Sequence, residues 1–525
     1  MRRNRPYGHV RPATAQQLQE YAERLHFTLD DALADELAPI MAEMITAFDE
    51  IDELPQPPAP GTAFTTRDVG REPTLEEDPF NAFIRFCRVE GATDGSLAGL
   101  TASIKDCIAI AGMPTTNGSR MQPTAVPGDD AVVVERILAA GATIVGKNNL
   151  EDMAMGTGEG SVYGPALNPT NPDHGTGGSS TGSAAAVAAG MVDFSLGADE
   201  AGSVRIPSAM CGLVGMKATH GLVPTYGLTY FDHTLDHIGP LTRDIELNAR
   251  VLEVLAGPDW RDPQWTRGVP EPGSFTEQLD EGVQGLRFAV VEESLEPNGT
   301  TPDVLSAFNE GLRVLESHGA VIERVSVPLW GSAWSIESAI LSFTLRAMAD
   351  SGGAGYFHKG RIDPAMTAAM ATQVRTSFND LAVQSRLSFL LGEHMREEYL
   401  GVHYAKAHNL RLELGQQVDA ALHDRAALLT PTVPVVAPKL SRERHSFTGM
   451  LPRLGGPSVL NTCATDLTGH PALTVPTGSG DHGLPVGLQL IGQSFDESTL
   501  YRAGAVLEEA ELWRLPEEPT APVLS

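Results

Sequence analysis

The run AVVVERILAAG, Ala131 to Gly141, passes without a linker into ATIVG, Ala142 to Gly146. The first has apolar residues at helical spacing, the second is β-rich and uncharged. A helix feeding straight into a strand constrains the chain to layers of helix on sheet. Further strand-like runs at Leu286 to Val291, Ala427 to Leu429 and Gly487 to Ile491 extend the alternation. The expected fold class is α/β, with helices on both faces of a central β-sheet.

Two segments depart from this pattern. Residues 1–61 read as a small N-terminal helical appendage and linker, ahead of a main body at 62–525. Leu18, Tyr21, Ala22 and Leu25 recur at steps of three and four, and Thr28 with Asp31 resembles a capping box opening a second helix. Pro39 is expected to kink or restart that helix, and PQPPAPG, Pro55 to Gly61, reads as the linker. Packing or formation of a homodimer is the expected role of the appendage. At about 330–456 helical periodicity dominates, the natural place for substrate-specific elements.

Charge narrows the partners. The 67 acidic against 37 basic side chains give a formal net charge of −30, which repels phosphate backbones and anionic headgroups. Neither nucleic acid nor a membrane is therefore expected as a partner. The four cysteines, Cys87, Cys107, Cys211 and Cys463, show no CxxC or metal-ligand spacing, which fits a reducing compartment. The N-terminus is basic without an apolar run behind it, and no stretch reaches about 18 apolar residues. A soluble, cytoplasmic protein is expected.

Three segments carry candidate chemistry. GTGGSSTGSAAAVAAG, Gly175 to Gly190, is a glycine and serine loop running into an alanine-rich helix; it lacks the lysine of a P-loop. In LGADEAGSVRIPSAMCGLVGMKAT, Leu196 to Thr219, short residues around Ser203 leave a turn whose N–H groups a ligand can approach. In SIKDCIAIAG, Ser103 to Gly112, Lys105 stands in a β-rich run with Asp106 as the nearby charge. Burial disfavours the charged form of a lysine, which is what use as a base requires.

In this order and spacing the three segments resemble the amidase-signature family. The family pattern is a Lys-Asp pair, a GGSS[GT]GS loop, then Gly-Ser-Val/Ile-Arg-Ile/Phe-Pro ending in Cys-Gly. The chain reads Lys105-Asp106, then Gly177 to Ser183, then Gly202 to Pro207 with Cys211-Gly212. TTNGS, YGPALNP, DHIGPLTR, GHPALTVPTG and GLPVGLQLIG agree too, so the resemblance spans roughly Leu97 to Glu508. The appendage resembles that of monofunctional bacterial nitrile-pathway amidases.

The resemblance implies a mixed central sheet and a triad of Ser203 as nucleophile, Ser179 as a relay after a cis peptide bond, and Lys105 as base. It implies an oxyanion hole from the backbone N–H groups of Glu200, Ala201, Gly202 and Ser203, with Ser180, Asp199 and Arg205 supporting the site. The implied reaction is hydrolysis of a small-molecule amide, with no cofactor and no metal. The chain departs from its relatives at Glu200-Ala201-Gly202, where most have Gly-Gly before the nucleophile. Glu200 brings a carboxylate to the nucleophile loop and could restrict anionic substrates.

Other readings remain open at this level. Carbamate or urethane hydrolysis uses the same triad, and a catalytically silent relative could serve as a scaffold. The glutaminase subunit of a tRNA amidotransferase usually reads Arg-Gln-Pro where this chain has Arg205-Ile206-Pro207, and normally lacks the appendage. Asp232, His233, Asp236 and His237 offer a metal site if the histidines share a helix face, although structural histidines are the more ordinary reading. Trp330, Trp334, Phe343, Tyr356, Phe357, Phe378 and Phe389 are candidates for the acyl pocket.

Overall fold

The structure, a computed structural model, describes residues 10–520 apart from 56, 58–61, 123, 157, 159, 265–267, 271–272, 296–298 and 441–456. The chain divides into two units, Met1–Gly61 and Thr62–Ser525.

The first unit holds helices Ala15–Arg24 and Asp31–Glu53. Thr14 starts the first through a capping box: its Oγ1 accepts from the Gln17 N–H at 3.2 Å, and Gln17 Oε1 accepts from the Thr14 N–H at 3.0 Å. The second helix is capped by Asp30 rather than by the expected Thr28 and Asp31, with Asp30 Oδ1 accepting from the Leu33 N–H at 2.8 Å. Pro39 does not restart the helix, which runs through it. The missing N–H deprives only the carbonyl of Asp35, an exposed residue where water can donate instead. The expected linker lies almost wholly outside the described residues.

Among the described residues the second unit is built on one twelve-stranded sheet. Its strands are β1 (Arg67–Arg71), β2 (Phe83–Val89), β3 (Thr101–Lys105), β4 (Thr143–Asn148), β5 (Phe194–Asp199) and β6 (Val214–Lys217). They continue with β7 (His237–Thr242), β8 (Arg287–Val291), β9 (Val321–Val325), β10 (Ala427–Pro431), β11 (Ala472–Ser479) and β12 (Pro485–Ile491). The order across the sheet is β1-β2-β4-β3-β5-β7-β6-β11-β12-β10-β8-β9. β3 runs parallel to β4 and β5, and β8 parallel to β9 and β10; the other pairs are antiparallel, so the sheet is mixed.

Helices cover the sheet, and for that reason its central strands do not alternate. β5 (FSLGAD) and β12 (PVGLQLI) are buried at every residue. The edge strand β9 is only partly covered and carries Glu323 and Arg324, charges that discourage pairing with another chain. The helical region contains Ala333–Asp350, Pro364–Thr376, Val383–Tyr399 and Val402–Leu422, then returns to the sheet at β10. Its last part, 441–456, lies outside the described residues. Among the described residues no helix is long and apolar enough to cross a membrane.

The topology brings the three sequence segments together. β3 and β5 are parallel neighbours, with Ile104 opposite Leu196, so Lys105 and Asp199 finish the strands on one side of the sheet. The carboxyl ends of parallel strands are where α/β sheets place their sites. The glycine and serine loop enters the helix Thr181–Ala188, every residue of which is buried. Small residues are required there: a Cβ on Gly182 would lie 2.1 Å from the Ala82 carbonyl oxygen.

Candidate active site

Lys105, Ser179, Ser180 and Asp199 are all fully buried, and Ser203 is 6% exposed. Lys105 Nζ lies 2.8 Å from Ser179 Oγ and 3.1 Å from the Ala198 carbonyl oxygen. Asp106, adjacent in sequence, faces away. It accepts from the Thr116 N–H and hydroxyl at 2.8 and 2.6 Å and pairs with Lys147 at 3.0 Å. Among the described residues Lys105 has no ion pair, so its nitrogen is left to the serine and a carbonyl.

The Gly178–Ser179 peptide bond is cis. The two serine loops are tied through the backbone, with the Ser180 N–H donating to the Ser203 carbonyl at 3.3 Å. Ser180 Oγ donates to the Ala198 carbonyl at 3.3 Å, sharing that acceptor with Lys105. Ser180 thus anchors to β5.

Ser203 stands in the turn between β5 and the helix Arg205–Cys211, and Asp199 shapes that turn. Asp199 Oδ1 accepts from the Gly202 N–H at 2.7 Å, and Oδ2 accepts from the N–H groups of Val204 and Arg205 at 3.0 and 3.3 Å. Arg205 donates Nε and Nη2 to the same carboxylate at 3.0 and 2.8 Å, a two-pronged pair. Nη2 also donates to Asp466 at 2.7 Å, and Nη1 reaches Gln489, Thr465 and the Thr462 carbonyl at 2.5–3.0 Å. Burial opposes ionisation of Asp199, but the Arg205 charge and its hydrogen bonds win and hold the carboxyl below the usual range. Asp466, which shares the Arg205 Nη2 with Asp199, is held well above it by burial and by the charge of Asp199.

This geometry corrects one expected oxyanion donor. The Gly202 N–H is bonded to Asp199 and is not available to a ligand. Gly202 adopts φ +118°, and a Cβ there would meet Thr462 Oγ1 at 2.2 Å. Glycine is therefore retained for the turn, not for its N–H. Among the described residues the N–H groups of Ala201 and Ser203 have no hydrogen-bond partner.

Ser203 opens onto a cavity of about 330 Å³. Gly178, Glu200, Ala201 and Ile206 line it, as do Phe231, Trp334, Leu341, Leu345, Leu387 and Leu391. Glu200 is 6% exposed, its Oε1 lies 3.5 Å from Ser203 Oγ, and burial pushes its carboxyl up to about 7.

Of the seven aromatic residues expected in the pocket, only Trp334 lines this cavity. Trp330 is core, with Nε1 donating to Asn461 at 3.3 Å, and Phe343 packs on Tyr404. Phe378 and Phe389 pack edge to face, while Tyr356 and Phe357 are exposed. The leucines of Val383–Tyr399 were not legible as lining, because a helix face is assigned only once its neighbours are known.

The four candidate metal ligands do not share a helix face. Residues 233–235 form a turn and His237 begins β7. Asp236 Oδ2 accepts the N–H groups of Phe231 and Asp232 at 2.7 and 3.0 Å, closing that turn. His233 packs between Tyr230 and His358, away from His237, which packs edge-on against His220.

A family model described as Amidase matches residues 84–501. A glutamyl-tRNA(Gln) amidotransferase subunit from Haloarcula marismortui is 38% identical over 437 residues, covering 82% of this chain and 99% of the relative. The structure of the Thermotoga maritima protein of the same name matches with a TM-score of 0.67 and 31% identity, over 87% of this chain and 91% of that one. Peptide amidase from Stenotrophomonas maltophilia matches with a TM-score of 0.64 and 29% identity, over 81% and 85%.

These relatives overturn the expectation that small molecules are the sole partners and that nucleic acid is excluded. Components of an enzyme named for a tRNA match this chain across most of its length. The charge argument failed because a net charge describes the averaged field of a molecule, whereas recognition is decided by local surface. With a family model over most of its length and relatives of this similarity, the chain belongs to the amidase-signature family and is an enzyme of amide C–N bond hydrolysis.

Proposed function

We propose that the chain hydrolyses a carboxylic amide to the acid and ammonia or an amine through an acyl-enzyme on Ser203. The observation that carries this reading is the buried 2.8 Å contact of Lys105 Nζ with Ser179 Oγ, behind a cavity that Ser203 lines. Lys105 takes the proton of Ser179, and Ser179 takes that of Ser203. Ser203 Oγ attacks the carbonyl carbon. The oxyanion is met by backbone N–H groups, those of Ala201 and Ser203, which have no other partner among the described residues, and that of Glu200. As the intermediate collapses, the C–N bond breaks and the relay returns its proton to the leaving nitrogen. Water then enters, loses a proton to the same relay and releases the acid from Ser203.

The lining argues for an apolar acyl chain, because leucine, phenylalanine and tryptophan carbons surround the space beyond the serine. A second reading, glutamine as the amide donor of an amidotransferase, is favoured by relatives that carry that enzyme's name.

A release assay over glutamine, short and long aliphatic amides, aryl amides, anilides and carbamates tests both. Turnover of apolar amides well above that of glutamine supports the first reading. Preference for glutamine establishes the second, and carbamates turned over faster than every amide would refute both.

A further inference from the structure

Among the described residues lining the Ser203 cavity, Glu200 alone carries an ionisable side chain. The other groups there are apolar, glycine, or the hydroxyls of Ser203, Ser338, Ser342 and Ser388. The carboxyl stands 3.5 Å from Ser203 Oγ, which is where the carbonyl of a bound substrate and the carboxylate of a formed product must lie. We propose that Glu200 sets the charge selectivity of this acyl site: it admits uncharged acyl groups and disfavours carboxylates, including the acid that the reaction releases. The inference rests on Ser203 as the acylated residue.

Two carboxylates a few ångströms apart in a site shielded from water cannot both ionise without cost. An amide substrate is neutral and meets no such opposition. Its hydrolysis creates a negative charge beside Glu200, so the step that makes the product also weakens its hold on the site. Protonated Glu200 removes the conflict and can donate a hydrogen bond to the acid. Burial pushes Glu200 up to about 7, which places that switch near neutrality.

Other ionisable groups also face Glu200. Lys105 and Cys107 do so from the end of β3, Asp199 from β5, Asp236 from the turn before β7 and Glu337 from the helix Ala333–Asp350. Asp199 is held ionised by Arg205, whereas burial pushes Cys107 up to about 12 and Asp236 and Glu337 well above their ordinary values. Glu200→Gln keeps all of these and removes one carboxyl, so it isolates the group in question.

Calorimetric titration of the full chain with hexanoate and with 1-hexanol, at pH 6 and pH 8, reads the effect without turnover. Free carboxylates titrate near pH 4, so hexanoate stays ionised across this window. In the wild type the hexanoate Kd should rise about tenfold from pH 6 to pH 8, as expected for binding linked to one proton near pH 7. The hexanol Kd should stay constant, and Glu200→Gln should bind hexanoate with little pH dependence. A flat hexanoate Kd in the wild type, no hexanoate binding at pH 6, or a tenfold slope that survives in Glu200→Gln overturns the inference. Turnover by Ser203→Ala, measured separately, would sink the acyl-enzyme reading while leaving the hexanoate slopes as they are.

Discussion

Lys105 ends β3, Lys147 stands next to last in the neighbouring parallel strand β4, and both are fully buried, yet they face different chemistry. Lys147 meets the Asp106 carboxylate and the Ile108 carbonyl, at 3.0 and 2.6 Å, as a charge does. Lys105 meets a serine hydroxyl and a carbonyl. Replacing Lys105 by Arg should therefore abolish turnover, since a guanidinium does not give up a proton near neutrality. Lys105→Ala should lose kcat/KM almost as severely as Ser203→Ala, by several orders of magnitude, because members of a relay act as one unit. Near-native kcat/KM in Lys105→Arg would make the lysine structural. Asp199 has a different task, fixing the Ser203 turn through three N–H groups and Arg205. Its loss leaves part of a buried ionic network unpaired, so Asp199→Ala should lower stability by about 3–5 kcal/mol in denaturant unfolding. A loss under about 1 kcal/mol would show that Asp466 alone can hold Arg205.

The helix Thr181–Ala188 illustrates how closely an element can be bound to its composition. Its alanines, glycine and serine are not a flexible tract; they let a fully buried helix pack with its backbone against neighbouring chain. Gly182→Ala would press a Cβ onto the Ala82 carbonyl, so it should cost about 1–3 kcal/mol in unfolding experiments. An unchanged stability would mean that the helix can shift. The helix Val383–Tyr399 behaves in the opposite way. Leu387 and Leu391 are 46% and 44% exposed yet line the cavity, so trimming them costs little packing within the chain. The double change to alanine should raise KM for long aliphatic amides about tenfold and leave acetamide kinetics unchanged. An equal loss for both amides would remove this helix from the acyl site.

At the scale of the whole molecule, buried carboxyls set the response to pH. Burial pushes Glu200 and Glu508 up to about 7 and Asp262 up to about 6. Their folded-state values lie above the unfolded ones, so the stability they contribute is present at low pH and is lost as pH rises through about 6 to 7. His220 and His233 are depressed to about 4 by burial, and their contribution is lost in the other direction, as pH falls from 6.5 toward 4. The thermal midpoint should therefore fall between about pH 6 and pH 7.5, and fall less in Glu200→Gln. A midpoint that rises over this window in both proteins would contradict the assignment.

The same scale explains what the sequence could and could not reveal. The candidate triad of Lys105, Ser179 and Ser203 stood out because each lies in a short run with its own pattern, and the alternation of helix and strand indicated the layers. Asp466, Gln489 and Thr462 were not, since they reach Arg205 from more than 250 positions away, across sheet and helix packing that local pattern does not encode. Gly202 misled for a related reason: a glycine in a motif announces backbone freedom, and only the Asp199 contact shows what the N–H does. In the proposed mechanism Ser203 carries the acyl group and Lys105 activates it through Ser179. Peptide mapping of the wild type and Lys105→Arg after brief exposure to a fluorophosphonate tests it most directly. One adduct is expected, on Ser203 of the wild type, formed far more slowly in Lys105→Arg; an adduct on Ser179 or Ser180, or equal labelling of both proteins, would overturn this mechanism.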